Sequence, residues 1–81
     1  MVNETISYPV YRKYDGDLSF FKIMDHASFI EIKVMGSHIS KYEIKANILP
    51  DFQFITDMIN LHNGHWMESN EVEFNRFVAK L

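Results

Sequence analysis

Between Ser7 and Ala46 the chain is divided into short runs of β-branched and aromatic residues by connections of only two or three residues. The runs are 8–14, 18–24, 28–35 and 38–46, and between them stand Asp15-Gly16-Asp17, Asp25-His26-Ala27 and Gly36-Ser37. A parallel crossover needs a dozen or more residues, so each run must turn back against the one before it, and the pattern is that of an antiparallel meander.

Alternation within the runs assigns their faces. Ile30, Ile32 and Val34 share one side of the third run, with Phe29, Glu31, Lys33 and Met35 on the other. In the fourth run Tyr42, Ile44 and Ala46 oppose Ile39, Lys41, Glu43 and Lys45. A three-residue loop Met35-Gly36-Ser37 would join the two apolar sides, placing Val34 opposite His38, Ile30 opposite Tyr42 and Glu31 opposite Lys41. In the second run both sides are apolar, Leu18, Phe20 and Met24 against Phe21 and Ile23, and alternation does not choose between them. Pro9 lacks a ladder donor, which places the first strand at the sheet edge.

After Asn47 the period changes from two to 3.6. Pro50 and Asp51 suit a first helical turn, and Phe52, Phe54, Ile55, Met58, Ile59 and Leu61 cover about half the circumference. Asn63-Gly64 can supply a left-handed stop. A second helix begins at Ser69 or Asn70, where Asn70 and Glu73 have capping-box spacing, and Phe74, Phe77, Val78 and Leu81 form its apolar stripe. Trp66 reads as a lid over the end of the core. The predicted fold is α+β, a four-stranded antiparallel meander followed by two helices packed on one face (ββββαα), in one domain spanning 1–81 with the polar first six residues loosely held. Its expected core is Ile30, Ile32, Val34, Tyr42, Ile44, Ile55, Ile59, Phe74 and Phe77.

Composition narrows the function. The chain has no cysteine, which removes disulfides, thiolate metal cages and thiol nucleophiles, and suits a reducing, cytoplasmic setting. Nothing approaches the ~20 apolar residues of a membrane helix. Eight basic residues against eleven acidic ones give a net charge of −3, and the basic residues are scattered. Nucleic-acid binding relies on a basic stripe, so the aromatics of the first three runs belong to a core or a protein contact rather than to base stacking.

No glycine-rich phosphate loop or nucleophile elbow is present. His62 and His65, with Glu68 and Glu71 downstream, are the only residues spaced like metal ligands. A histidine in a last helical turn and another after an Asn-Gly turn are explained without a metal, so no metal and no cofactor is assigned. His26 and His38 fall at hairpin ends, and Asp15 and Asp17 are ordinary turn acids.

The function expected is therefore non-enzymatic protein association, as a homodimer or with another protein partner. On the predicted register the helices leave open a face bearing Phe29, Met35 and Ile39, with Phe21 and Ile23 added if the second run turns that way. The alternative is a small metal- or ligand-dependent enzyme using the histidines near the helix–helix connection.

Overall fold

The computed structural model describes residues 6–14 and 16–81. Four antiparallel strands, β1 (Val10–Tyr14), β2 (Ser19–Asp25), β3 (Ser28–Met35) and β4 (His38–Lys45), lead into helix α1 (Leu49–Asn60). A 3-10 turn (His62–Gly64), a short strand β5 (Trp66–Glu68) and helix α2 (Glu71–Val78) complete the order. The α+β class and the order of four strands followed by two helices match the expectation. Of the six N-terminal residues expected to be loosely held, 1–5 lie outside the described residues, as does Asp15.

The sheet runs β4-β3-β2-β1-β5. Its middle strand, β2, carries adjacent phenylalanines, Phe20 and Phe21, each only 1% exposed. Successive strand residues point to opposite faces, so both faces of the sheet are covered at this point. Phe21, Ile23 and Phe29 pack with Ile55 and Met58 of α1, whereas Phe20 and Ile32 pack with Phe74 of α2. The helices therefore lie on opposite faces, which corrects the expected placement of both on one side. The second run is apolar on both sides because both sides are inside.

Two covered faces also remove the reason for the predicted β3–β4 register. The hairpin closes with the two-residue turn Gly36-Ser37, Met35 pairing with His38, Val34 with Ile39 and Ile30 with Glu43. Gly36 has φ 63°, at the turn position where a positive φ favours glycine. The tighter turn puts Ile44 with Phe29 on the α1 face, and Ile39 with Val34 on the α2 face. Tyr42, expected in the core, is 45% exposed beside Glu31. Ile32, Ile55 and Phe74 are buried as expected, while Ile30, Val34, Ile44, Ile59 and Phe77 are half-buried around them.

Trp66 is a strand residue, not a lid. It pairs with Tyr14, and β5 extends the sheet beyond β1, so β1 is not at the edge as Pro9 suggested; Pro9 precedes the strand. Tyr14 stacks on Trp66 at a centroid distance of 4.3 Å, and Phe21 meets both rings edge-on. Phe54 of α1 closes this aromatic group against Phe21, Phe29 and Trp66. On the other face Phe20 stacks on Phe77 at 4.7 Å and Tyr11 leans on Phe74.

Because β2 is enclosed on both sides, Phe21→Ala and Phe20→Ala should each lower unfolding stability by about 3–5 kcal/mol, and Ile32→Ala by about 2–5 kcal/mol. Tyr42→Ala, measured at low protein concentration, should leave stability nearly unchanged. Urea denaturation of the four variants checks this assignment; a Tyr42→Ala loss as large as that of Phe21→Ala would contradict it.

Candidate functional site

The polar groups best held by the fold secure its two helices. Arg12 projects from β1 onto the α1 face, where its Nε donates to the Met58 carbonyl at 2.9 Å and Nη2 to the Ile59 carbonyl at 3.0 Å. Its Nη1 donates to the Tyr11 carbonyl at 2.9 Å. The final carbonyls of a helix lack intrahelical donors and carry its negative pole, so one guanidinium satisfies both needs. Burial lowers the Arg12 pKa while Glu68, its partner on β5, works in the opposite direction. The clamp lies beside Leu61, which ends α1 in the left-handed conformation at φ 57°. The helix thus stops before the Asn-Gly pair that sequence suggested, and Leu61 packs against the α1-side core.

On the opposite face Lys13 joins β1 to α2. Its Nζ lies 2.9 Å from Glu73 Oε2 and 3.0 Å from Asp17 Oδ1. Glu73 also accepts from the Ser69 hydroxyl, and its backbone N–H donates to the Asn70 side chain, the N-cap foreseen from spacing. The Ser69 hydrogen bond, followed by that of Lys13, holds the Glu73 carboxyl below the usual glutamate range. In return, hydrogen bonds to Glu73 and Asp17 raise the Lys13 pKa. Each acid is occupied by a structural partner.

The histidines do not converge. His62 Nδ1 is 3.6 Å from Asp57 Oδ1 at the end of α1, and His65 is exposed after the 3-10 turn. Among the described residues no group of three or more histidine, aspartate or glutamate side chains could hold a metal ion. Asp25 is taken up by the β2–β3 turn, where it accepts from the Ala27 N–H and the Ser28 hydroxyl; these bonds lower its pKa.

The proposed open face does not exist as a surface. Phe21, Ile23 and Phe29 lie beneath α1 at 5% exposure or less, Ile39 packs at the border of the α2-side core, and Met35 alone is well exposed, at the hairpin tip. The register correction splits the set, since Phe29 and Ile39 now belong to opposite faces. What remains open lies further along the sheet. Helix α2 has eight residues and covers β2 and β3 around Phe20 and Ile32. Beyond it a shallow groove of about 550 Å³ is lined by Met24, Ser28, Ile30, Glu43 and Lys45 together with Phe29 and Ile44. It combines an apolar floor with one acid, one base and one hydroxyl, a composition suited to binding rather than to proton transfer.

This groove adjoins β4, which among the described residues ends the sheet and pairs only with β3. The Ala46 N–H donates to the Ala27 carbonyl at 2.7 Å, continuing the β3–β4 ladder. In an antiparallel ladder the residues whose backbones bond inward alternate with those whose backbones face outward. Even-numbered residues of β4 therefore bond β3, and Ile39, Lys41, Glu43 and Lys45 present free N–H and C=O groups to the outside. Lys41 and Glu43 form an ion pair along the strand at 3.2 Å. Sequence reading missed this site because it sought a face; the signal available was the polar alternation of β4, the usual mark of an edge.

Two consequences can be measured. Removing the Arg12 clamp takes the side-chain donor from the Ile59 carbonyl and leaves the Met58 carbonyl with the Leu61 N–H at 3.3 Å. Arg12→Ala should therefore cost about 2 kcal/mol in urea denaturation, and Arg12→Lys should recover only part because a single ammonium cannot reproduce the fork. Glu73 has a depressed pKa, so its contribution is complete above the unfolded value of about 4.3 and is lost as pH falls through the native value. The stability gap between wild type and Glu73→Gln should accordingly be open at neutral pH and close on acidification. A gap that widens toward acid would refute the assignment.

Compared with protein-family models, curated proteins and solved structures, the chain matches none.

Proposed function

We propose that this chain is a non-enzymatic protein-association module that binds through the β4 edge and the groove beside it, and that it works in the cytoplasm. The observation that carries this reading is the open length of β4. It has eight residues with one side unpaired among those described, whereas the opposite edge, β5, has three. A strand added there gains main-chain hydrogen bonds along its length, and the side chains over the neighbouring groove select it. Tyr42 of β4 is exposed on the α1 face, the face opposite the groove, and Ile48 and Leu49, where β4 joins α1, are exposed as well. A net charge of −3 with a local alternation of Lys41, Glu43 and Lys45 suits a protein partner better than a phosphate backbone. The enzyme alternative built on His62 and His65 receives no such support: among the described residues they belong to no group of three or more side chains that could hold a metal ion. Among the described residues no helix is long and apolar enough to cross a membrane.

Proline at an outward-facing position removes an edge donor while sparing the ladder to β3. Glu43→Pro should keep its melting temperature within a few degrees of wild type and lose edge-dependent association. Capture from extract of the native host with both proteins tests this. A species, whether a second copy or another protein, held by wild type and released by the variant is expected. Equal capture by the two, or none by either, would remove the β4 edge from the reading.

A further inference from the structure

Resting on the edge-binding reading, we infer that the occupant of β4 is β4 of a second copy, paired antiparallel about a two-fold axis that passes beside Tyr42. The argument is one of register. An added strand bonds only where outward-facing residues meet outward-facing residues, so Ile39, Lys41, Glu43 and Lys45 must face members of the same set. With the axis at Lys41, lysine meets lysine. With the axis at Glu43, glutamate meets glutamate and Lys41 meets the partner's Lys45. Like charges directly opposed across strands are destabilising. With the axis at Tyr42, Lys41 faces the partner's Glu43, Glu43 faces the partner's Lys41, and Ile39 lies against the aliphatic stem of the partner's Lys45. With the axis at Ser40, Lys41 meets the partner's Ile39 and no like charges oppose, but only residues 38–42 pair, whereas the Tyr42 register pairs 39–45.

The Tyr42 register therefore combines the longest overlap with opposite charges facing one another. The existing Lys41–Glu43 pair of each chain, at 3.2 Å, becomes half of an alternating group of four charges on the α2 face. On the other face the two Tyr42 rings meet at a position without direct ladder bonds, where cross-strand side chains approach most closely. Tyr42 is 45% exposed in the single chain, although it is a large aromatic in mid-strand. Lysines on an edge commonly repel other strands. Here they repel every long register but one, which makes the pairing selective, and the two-fold axis makes it closed, because each chain uses the one long edge found among the described residues.

Charge exchange tests the register in purified protein. Lys41→Glu sets acid against acid across the axis and Glu43→Lys sets base against base, so each variant alone should dimerise at least tenfold more weakly than wild type in sedimentation velocity. An equimolar mixture of the two restores opposite charges at both positions and should recover dimers. The chain has no cysteine, so a single introduced thiol reports proximity without background. Tyr42→Cys should cross-link to a dimer under mild oxidation, since facing residues at the axis lie within disulfide reach, and Ser40→Cys should not. Circular dichroism of each variant confirms folding. A wild type that stays monomeric up to millimolar concentration, single variants that dimerise like wild type, a mixture no better than its components, or equal cross-linking at both thiols would each overturn the pairing. The edge reading is judged apart from this by capture with Glu43→Pro: an edge-dependent partner of another kind, with a monomeric wild type, defeats only self-pairing.

Discussion

The structure depends on β2 being enclosed from both sides. Phe20 and Phe21 are consecutive and both essentially inaccessible, so one face of the strand must meet α1 and the other α2. Two small cores, back to back, replace the single core of a sheet with one covered side. Each phenylalanine organises its own: Phe21 contacts the rings of Tyr14, Phe29, Phe54 and Trp66, and Phe20 stacks on Phe77. Removing either ring would open one core while leaving the strand's other face packed.

Covering both faces with a short chain sets a problem of passage, since the polypeptide must cross from the α1 side to the α2 side around a sheet edge. β5 makes that crossing. It pairs beside β1 through Trp66, Met67 and Glu68, and the Ser69 N–H still reaches the Tyr11 carbonyl before Asn70 caps α2. β1 serves as the post for both helices: Arg12 holds the end of α1 on one face, and Lys13 holds Glu73 of α2 on the other. Neighbouring side chains on one strand thereby secure opposite layers, by the same alternation that separates Phe20 from Phe21.

The coverage is uneven, and the unevenness bears on function. β5 and both helix anchors crowd the β1 side, whereas among the described residues β4 has β3 as its only ladder partner and a groove on the α2 face beside it. A long unpaired strand invites addition, and natural sheets control such edges with charge. In β4 the charges alternate in sign along the outward-facing positions, which repels most alignments and permits one. On this view the side chains of the edge do not merely prevent association but choose its register.

The sequence by itself determined what depends on neighbours in the chain. Connections too short for crossovers required an antiparallel meander, a shift to 3.6 periodicity placed the helices, and Asn70 with Glu73 three residues later marked the start of α2. The apolar content of both sides of 18–24 already recorded double burial, although alternation alone could not express it. Tertiary structure decided which partner each face received. The β3–β4 register followed the two-residue turn at Gly36, because with helices on both faces no penalty remained for mixing apolar residues between them. Trp66 became a strand residue because β1 offered it an open edge and Tyr14 a ring to stack on, and the end of α1, turned at Leu61, is fastened to the sheet by Arg12, 46 residues from Met58. Such contacts join positions far apart in the chain, and no local period or spacing encodes them.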